Sequence, residues 1–297
     1  MIKFSLKLDT AFDLDTTLDC GQTFRWEKTD GWWKGVVRDT VLFLKQSGKK
    51  LDVIASRDTL LGMDIDEGLR KYLGFEDDLE EVHSTLEMII RSLPERTKEL
   101  SLNAVKQARG LRILRQDALE MTVEYIISTR NSIPTIRKIS DLLSAKFPEN
   151  RVEMDDEVFY TFPSLEQLKH LKLEDLLEIK LGFRADWLYE LFQNLEDEMF
   201  FEELYDKPLM EKLEELMKIK GIGYKVGSCI TLFAYAELNS FPVDVWIKRV
   251  MKDLFGVNGS TKKVMEFGME TFAPYAGYYQ EAVFRYYRTH KLGRDKQ

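Results

Sequence analysis

The sequence predicts an α+β protein, an N-terminal antiparallel β-sheet domain followed by a mostly α-helical region. Three observations predict it. The first 70 residues are rich in β-branched and aromatic runs cut by turn residues. From about residue 76 the apolar residues recur every three to four positions. No internal repeat or low-complexity linker separates the two regimes, so the domains should pack closely. A chain of 297 residues has room for about two domains. We place them at 1–108, the sheet domain with flanking helices, and 109–297, the helical region.

In chain order, Gly31–Arg38 and Thr40–Lys45 read as strands joined through Arg38-Asp39, and Leu51–Ile54 as another. Leu79, Val82, Leu86, Ile89 and Ile90 mark the first long helix. Asp117 with Glu120 three residues on reads as an N-cap opening an apolar helix through Ile127, and Ser164 with Gln167 repeats the device. Leu213–Ile219 reads as a helix leading to Lys220-Gly221-Ile222-Gly223-Tyr224. A second helix is expected from Lys225 to about Glu237, then helices over Val245–Leu254 and Thr261–Phe272.

Composition excludes several classes. Apolar residues make up 44% and charged residues 32%, a globular profile. No apolar run reaches the ~18 residues of a membrane helix, and the N-terminus lacks a signal core, so an intracellular (cytoplasmic, or nucleoid-associated) protein is expected. Cys20 and Cys229 are too few for a four-cysteine metal site or a disulfide framework, and His83, His170 and His290 show no ligand spacing. The net charge of −8 argues against nucleic-acid binding only until its distribution is examined. Residues 139–215 carry −13, the rest of the chain +5, and 216–252 alone +4. Phosphate responds to charge within about a Debye length, so local sign decides.

The Gly221-Ile222-Gly223 turn carries chemistry. Its amides, at the start of a helix, form a positive concavity suited to phosphate, with Lys218 and Lys220 beside it. A plain helical corner with glycines for packing is the alternative. A helix from Lys225 to Glu237 would run roughly 18–20 Å. Residues 238–243 can span about 20 Å when extended, which returns Asp244 to the neighbourhood of Lys225. A neutral lysine amine is a nucleophile that can leave a Schiff base, and positive neighbours favour the neutral amine. A carboxylate opposite could assist proton transfer or stabilise developing positive charge. Asp244 also makes a good N-cap, and Lys225 an ordinary helix lysine.

Lys220–Ile230 followed by Phe241-Pro242-Val243-Asp244-Val245-Trp246 resembles the helix-hairpin-helix/Gly-Pro-Asp (HhH-GPD) DNA glycosylases, and more narrowly the 8-oxoguanine DNA glycosylase/AP lyases. Leu18–Trp26, Gly110–Asp117, Leu181–Ala185 and Pro274–Gly277 are similar to further motifs of that branch, in the expected order over nearly the whole chain. The resemblance implies a two-lobed helical core and base excision repair of duplex DNA containing 8-oxoguanine. The damaged nucleotide would be flipped out. Lys225 would attack C1′ with support from Asp244, and the Schiff base would undergo β-elimination.

It also implies a pocket. Gly21 would offer its carbonyl to N7–H of the lesion, Phe284 and Cys229 would sandwich the base, Gln280 would read its Watson–Crick edge, and Pro242 would form a wall. Core packing is the alternative for Phe284 and Cys229. Phe183 aligns with the wedge that fills the vacated stack and Arg184 with a reader of the opposite cytosine. Gly221, Gly223 and Trp246 align with phosphate or pocket contacts. Trp246 stands where a histidine is common. Arg130 and Asn131 stand in a segment that the family makes asparagine-rich. With Arg130 and Thr135 as the opposite-strand contacts, a relaxed preference for cytosine is expected. No cofactor is implied, beyond a monovalent cation that hairpins of the family can hold on backbone carbonyls. A monomer is expected. A glycosylase for another base, a non-catalytic hairpin DNA-binding protein and a helical scaffold remain alternatives at this point.

Overall fold

The computed structural model describes residues 1–290. Five strands, β1 (Ile2–Lys7), β2 (Trp26–Thr29), β3 (Trp32–Val37), β4 (Thr40–Ser47) and β5 (Lys50–Ala55), form an antiparallel sheet in the order β1-β5-β4-β3-β2. The expected Arg38-Asp39 turn joins β3 and β4, with Arg38 at φ +51°.

β4 is buried along Thr40–Leu44 because both faces of the sheet are covered. Leu42 and Leu44 join one core with Leu51, Val53 and Leu69. Val41 and Phe43 face a small second cluster with Val36 and Met154. That second face is covered by a hairpin, Arg151–Met154 and Glu157–Tyr160, inside the region read as helical. β1 and β2 were likewise not read as strands. β1 alternates apolar with polar residues and finds its partner about 45 residues later.

Beyond the sheet the chain is largely helical. The Leu79–Arg91 and Glu95–Gln107 helices place Leu86, Ile90 and Ala104 in the same core as Ile230, Ile247 and Tyr279. Ser164 and Gln167 form the expected reciprocal cap. At Asp117 only half of that device is present. Asp117 accepts from the Glu120 amide at 2.8 Å, but Glu120 is drawn to the sheet instead, where it accepts from the Arg38 amide at 2.8 Å and faces Arg25 at 3.8 Å. A buried carboxylate is stabilised by those donors more than by its own helix end.

Residues 111–117 run without helix between the two bodies, and Gln22 pins them. Its amide donates to the Thr17 and Arg112 carbonyls at 2.9 and 2.8 Å and accepts from the Leu114 amide at 2.8 Å. Gln116 returns a bond to the Gln22 carbonyl at 2.8 Å. Arg112, fully buried, donates to the Ala11, Gly74 and Asp77 carbonyls. Charge-assisted bonds to carbonyls satisfy the buried guanidinium, and the Gln22 bonds tie the neighbouring Gly21 turn to this segment.

Candidate active site

The predicted hairpin is present. The Leu209–Leu216 helix leads to the Gly221 turn, and the next helix runs Tyr224–Phe233, with Lys225 in its first turn. It ends four residues before Glu237. Ala236 turns left-handed at φ +57°, and the Glu237 carboxylate pairs with Lys212. The shorter helix lengthens the return segment, which still brings Asp244 back to the cavity that Lys225 lines. Asp244 caps the Val245–Phe255 helix by accepting from the Ile247 amide at 2.8 Å.

Both residues line an open cavity of about 750 Å³. Lys225 Nζ lies 3.4 Å from Ser128 Oγ and 4.9 Å from the centre of the Tyr125 ring. It makes no ion pair within 4.0 Å among the described residues, so its amine is held by an aromatic face and a hydroxyl. Burial raises the Asp244 carboxyl above its ordinary value, against the Ile247 amide and the Lys225 charge, which oppose the rise. The amine and the carboxylate thus share one electrostatic environment across the cavity.

The walls come from distant segments. Gly21 (φ +100°), Cys229, Pro242, Gln280 and Phe284 all line the same cavity. The Phe284 ring edge lies 3.6 Å from where a Cβ on Gly21 would stand. Gln280 is buried, and its Oε1 has no hydrogen-bond partner, an acceptor awaiting a donor. Burial lifts the Cys229 thiol to about 11, so it presents a neutral, polarisable surface. Arg130, Asn131, Gly221, Gly223 and Trp246 lie along the mouth, with the Arg249 guanidinium 5.3 Å from the Trp246 ring.

Phe183 and Arg184 stand outside the cavity. Phe183 is 44% exposed rather than core, packed edge-to-face on Trp187 at 5.0 Å. Arg184 is buried, and its guanidinium is taken up by the Thr129 and Leu181 carbonyls. Lys218 and Lys220, expected to bear on Lys225, are each answered by a carboxylate, Glu215 at 2.5 Å and Glu190 at 2.6 Å. Glu215 lies three residues before Lys218, within reach of a reading along the chain, whereas Glu190 comes from another helix 30 residues earlier.

Among the further residues that line the cavity and that the sequence did not single out are Tyr125, Ser128, Glu281 and Arg288. Tyr125 and Ser128 belong to an apolar helix whose periodicity marks only burial. Glu281, a carboxylate between Gln280 and Ala282-Val283, was the one visible signal. Its carboxyl is raised to about 7 by burial, against contacts with Cys20 and Arg288.

Residues 5–122 match the family described as 8-oxoguanine DNA glycosylase, N-terminal domain, and residues 123–274 match the HhH-GPD superfamily base excision DNA repair proteins. The chain is 27% identical over 297 residues to N-glycosylase/DNA lyase OGG1 of Arabidopsis thaliana, an alignment covering 95% of this chain and 79% of that protein. A probable N-glycosylase/DNA lyase of Methanothermobacter thermautotrophicus is 29% identical over 203 residues, 61% of this chain and 64% of that one. Among solved structures, the Clostridium acetobutylicum 8-oxoguanine glycosylase/lyase in complex with double-stranded DNA containing cytosine opposite 8-oxoguanine superposes with a TM-score of 0.84 at 28% identity, covering 98% of this chain and 99% of that one. The 3-methyladenine DNA glycosylase of Archaeoglobus fulgidus, at 21% identity and TM-score 0.73 over 97% and 99% of the two chains, shares the fold.

Proposed function

This chain belongs to the HhH-GPD superfamily of base excision DNA repair proteins and carries the 8-oxoguanine DNA glycosylase N-terminal domain, and on that premise we propose that it is a bifunctional DNA glycosylase/AP lyase that removes 8-oxoguanine from duplex DNA. The observation that carries this reading is the position of Lys225, on the wall of an open cavity of about 750 Å³ that Asp244 and the glycine turn also line. The N-glycosylase/DNA lyase names of its relatives agree with it.

The turn grips a backbone phosphate through its amides, and the lesion swings into the cavity. There the Gly21 carbonyl accepts from N7–H, a proton guanine lacks. Such a bond discriminates because the wrong base leaves a buried acceptor unpaired. Gln280 meets the Watson–Crick edge, between the Phe284 and Cys229 surfaces. The Lys225 amine forms a bond to C1′ as the bond from C1′ to N9 breaks. The base leaves with the bonding pair and takes up a proton. Asp244 stabilises the positive charge that develops on the sugar. Loss of the amine proton and opening of the sugar ring give the Schiff base. Removal of a C2′ proton then expels the 3′ phosphate by β-elimination. The bond-making and bond-breaking steps call on Lys225 and Asp244 and need no cofactor.

Borohydride trapping on an 8-oxoguanine duplex tests the reading. A covalent adduct is expected from the native protein and not from Lys225→Gln, while DNA binding persists in both. Trapping that survives in Lys225→Gln would overturn the assignment of the nucleophile, and no trapping in the native protein would overturn the lyase.

A further inference from the structure

The Ala276–Thr289 helix contributes Gln280 and Phe284 to the cavity, and four residues beyond Phe284, on the same face, it contributes Arg288. The Arg288 guanidinium donates to the main-chain carbonyl of Asp19 and pairs with the Asp19 carboxylate at 3.3 Å. Its Nη1 stands 3.8 Å from the position a Cβ on Gly21 would take. Its centre lies 6.0 Å from the Phe284 ring. One side chain therefore touches the residue that ends the Leu14–Leu18 helix, the left-handed residue two positions on, and the aromatic wall of the cavity.

The two contacts to Asp19 are not equal. The Asp19 side chain is 75% exposed, so the ion pair is screened by water and contributes little. The bond to the carbonyl is charge-assisted and acts on the backbone itself. Downstream, Gln22 is pinned to Thr17, Arg112 and Leu114. On the cavity side the turn is tethered by Arg288.

We propose that Arg288 is a positioning residue that sets specificity for the flipped base, holding the Asp19-Cys20-Gly21 turn against Phe284 so that the Gly21 main chain meets the base at a fixed height. This rests on the cavity being the base pocket, as argued under Proposed function. Arg288 acts on the base through Gly21 and leaves the sugar to Lys225. Base recognition should therefore depend on it, and cleavage of a site that has already lost its base should not.

The test compares Arg288→Gln and Arg288→Lys with the native protein on two duplexes, one carrying 8-oxoguanine and one a preformed abasic site. Thermal melting checks the fold of each. Arg288→Gln should slow 8-oxoguanine excision at least about tenfold, since misplacement by an ångström can cost about a hundredfold. Abasic-site cleavage should stay within about twofold. Arg288→Lys, which can still donate to the Asp19 carbonyl, should recover part of the loss. Undiminished excision in Arg288→Gln overturns the proposal, and so does an equal fall in excision and abasic cleavage. Weakened binding of undamaged duplex, with the excision defect vanishing at saturating protein, would make Arg288 a phosphate contact and also overturn it. A native protein that leaves 8-oxoguanine in place while cleaving abasic sites would instead defeat the base-excision reading itself, and the proposal with it.

Discussion

Trp187 lies against the α-carbon of Gly221. A methyl group there would stand 2.4 Å from Cε3 of the indole, and Gly221 holds φ +92°. The same indole supports Phe183 edge-to-face, and one turn on, Glu190 pairs with Lys220 at 2.6 Å. The glycine turn and the exposed Phe183 ring thus both rest on one helix, Arg184–Asn194.

Gly221→Ala should lose at least about 1–2 kcal/mol from the left-handed backbone alone, more from the overlap with Trp187, and melt several degrees lower. Gly223 has φ −112° and open space around it. Gly223→Ala should melt within about 0.5 kcal/mol of the native protein and still bind DNA more weakly, because the added methyl occupies the approach of the phosphate. Melting curves and duplex titrations separate the two effects.

Phe183→Ala should barely alter stability, within about 0.5 kcal/mol, because the ring is exposed, while reducing excision if the ring enters the DNA stack as we propose. Trp187→Ala should reduce both. Equal stability losses in the two variants would show Phe183 to be a packing residue.

Asp244 is both helix cap and candidate catalytic carboxylate. Asp244→Asn keeps the acceptor for the Ile247 amide and should abolish most excision with the fold intact. Asp244→Ala should cost a further ~0.5–2 kcal/mol for the lost cap. Burial raises the native carboxyl, so the folded state binds the proton more tightly than the unfolded one. Stability from this group is greatest below the ordinary carboxylate value and falls as pH rises through the raised one. Urea unfolding across that window should show a smaller fall in Asp244→Asn than in the native protein.

The same sign governs Glu281, raised from 4.5 to about 7. Its contribution is present in full below pH 4.5 and lost as pH climbs through 7. Glu281→Gln should remove that loss, up to about 3 kcal/mol. Glu120, also raised to about 7, is present in both proteins. The difference between their stability–pH curves therefore reports Glu281, and superimposable curves would show that its carboxyl titrates alike folded and unfolded.

Arg184, outside the cavity, spends its donors on the Thr129 and Leu181 carbonyls, and Arg130 and Thr135 are exposed. We expect excision of 8-oxoguanine opposite each of the four bases to differ by less than about tenfold, one bidentate contact being worth ~1–3 kcal/mol. Rates measured on the four duplexes check this. A strong cytosine preference, lost in Arg184→Ala, would mean that Arg184 leaves its carbonyls on binding DNA.

The local devices were legible along the chain. β-Branched and aromatic runs and a turn at Arg38-Asp39 marked β3 and β4. Ser164 and Gln167 announced their cap, and the glycines, Lys225 and Asp244 marked the hairpin and its return. The Arg151–Tyr160 hairpin was not legible, because its few apolar residues bury against Val36, Val41 and Phe43 of the sheet, more than 100 residues earlier.

By itself, then, the sequence determined which backbone segments bend, cap and coil, and which reactive groups lie near the glycine turn, because those depend on neighbours within a few positions. Tertiary packing alone decided how each polar group is used. It placed Ser128 and Tyr125 beside the Lys225 amine, turned Arg184 toward Thr129, drew Glu120 from its cap to Arg38, and set Arg288 behind Gly21. A buried donor or charge must find a partner wherever the fold brings one within about 3 Å, and the chain order of residues 50 to 270 positions apart carries no record of that distance.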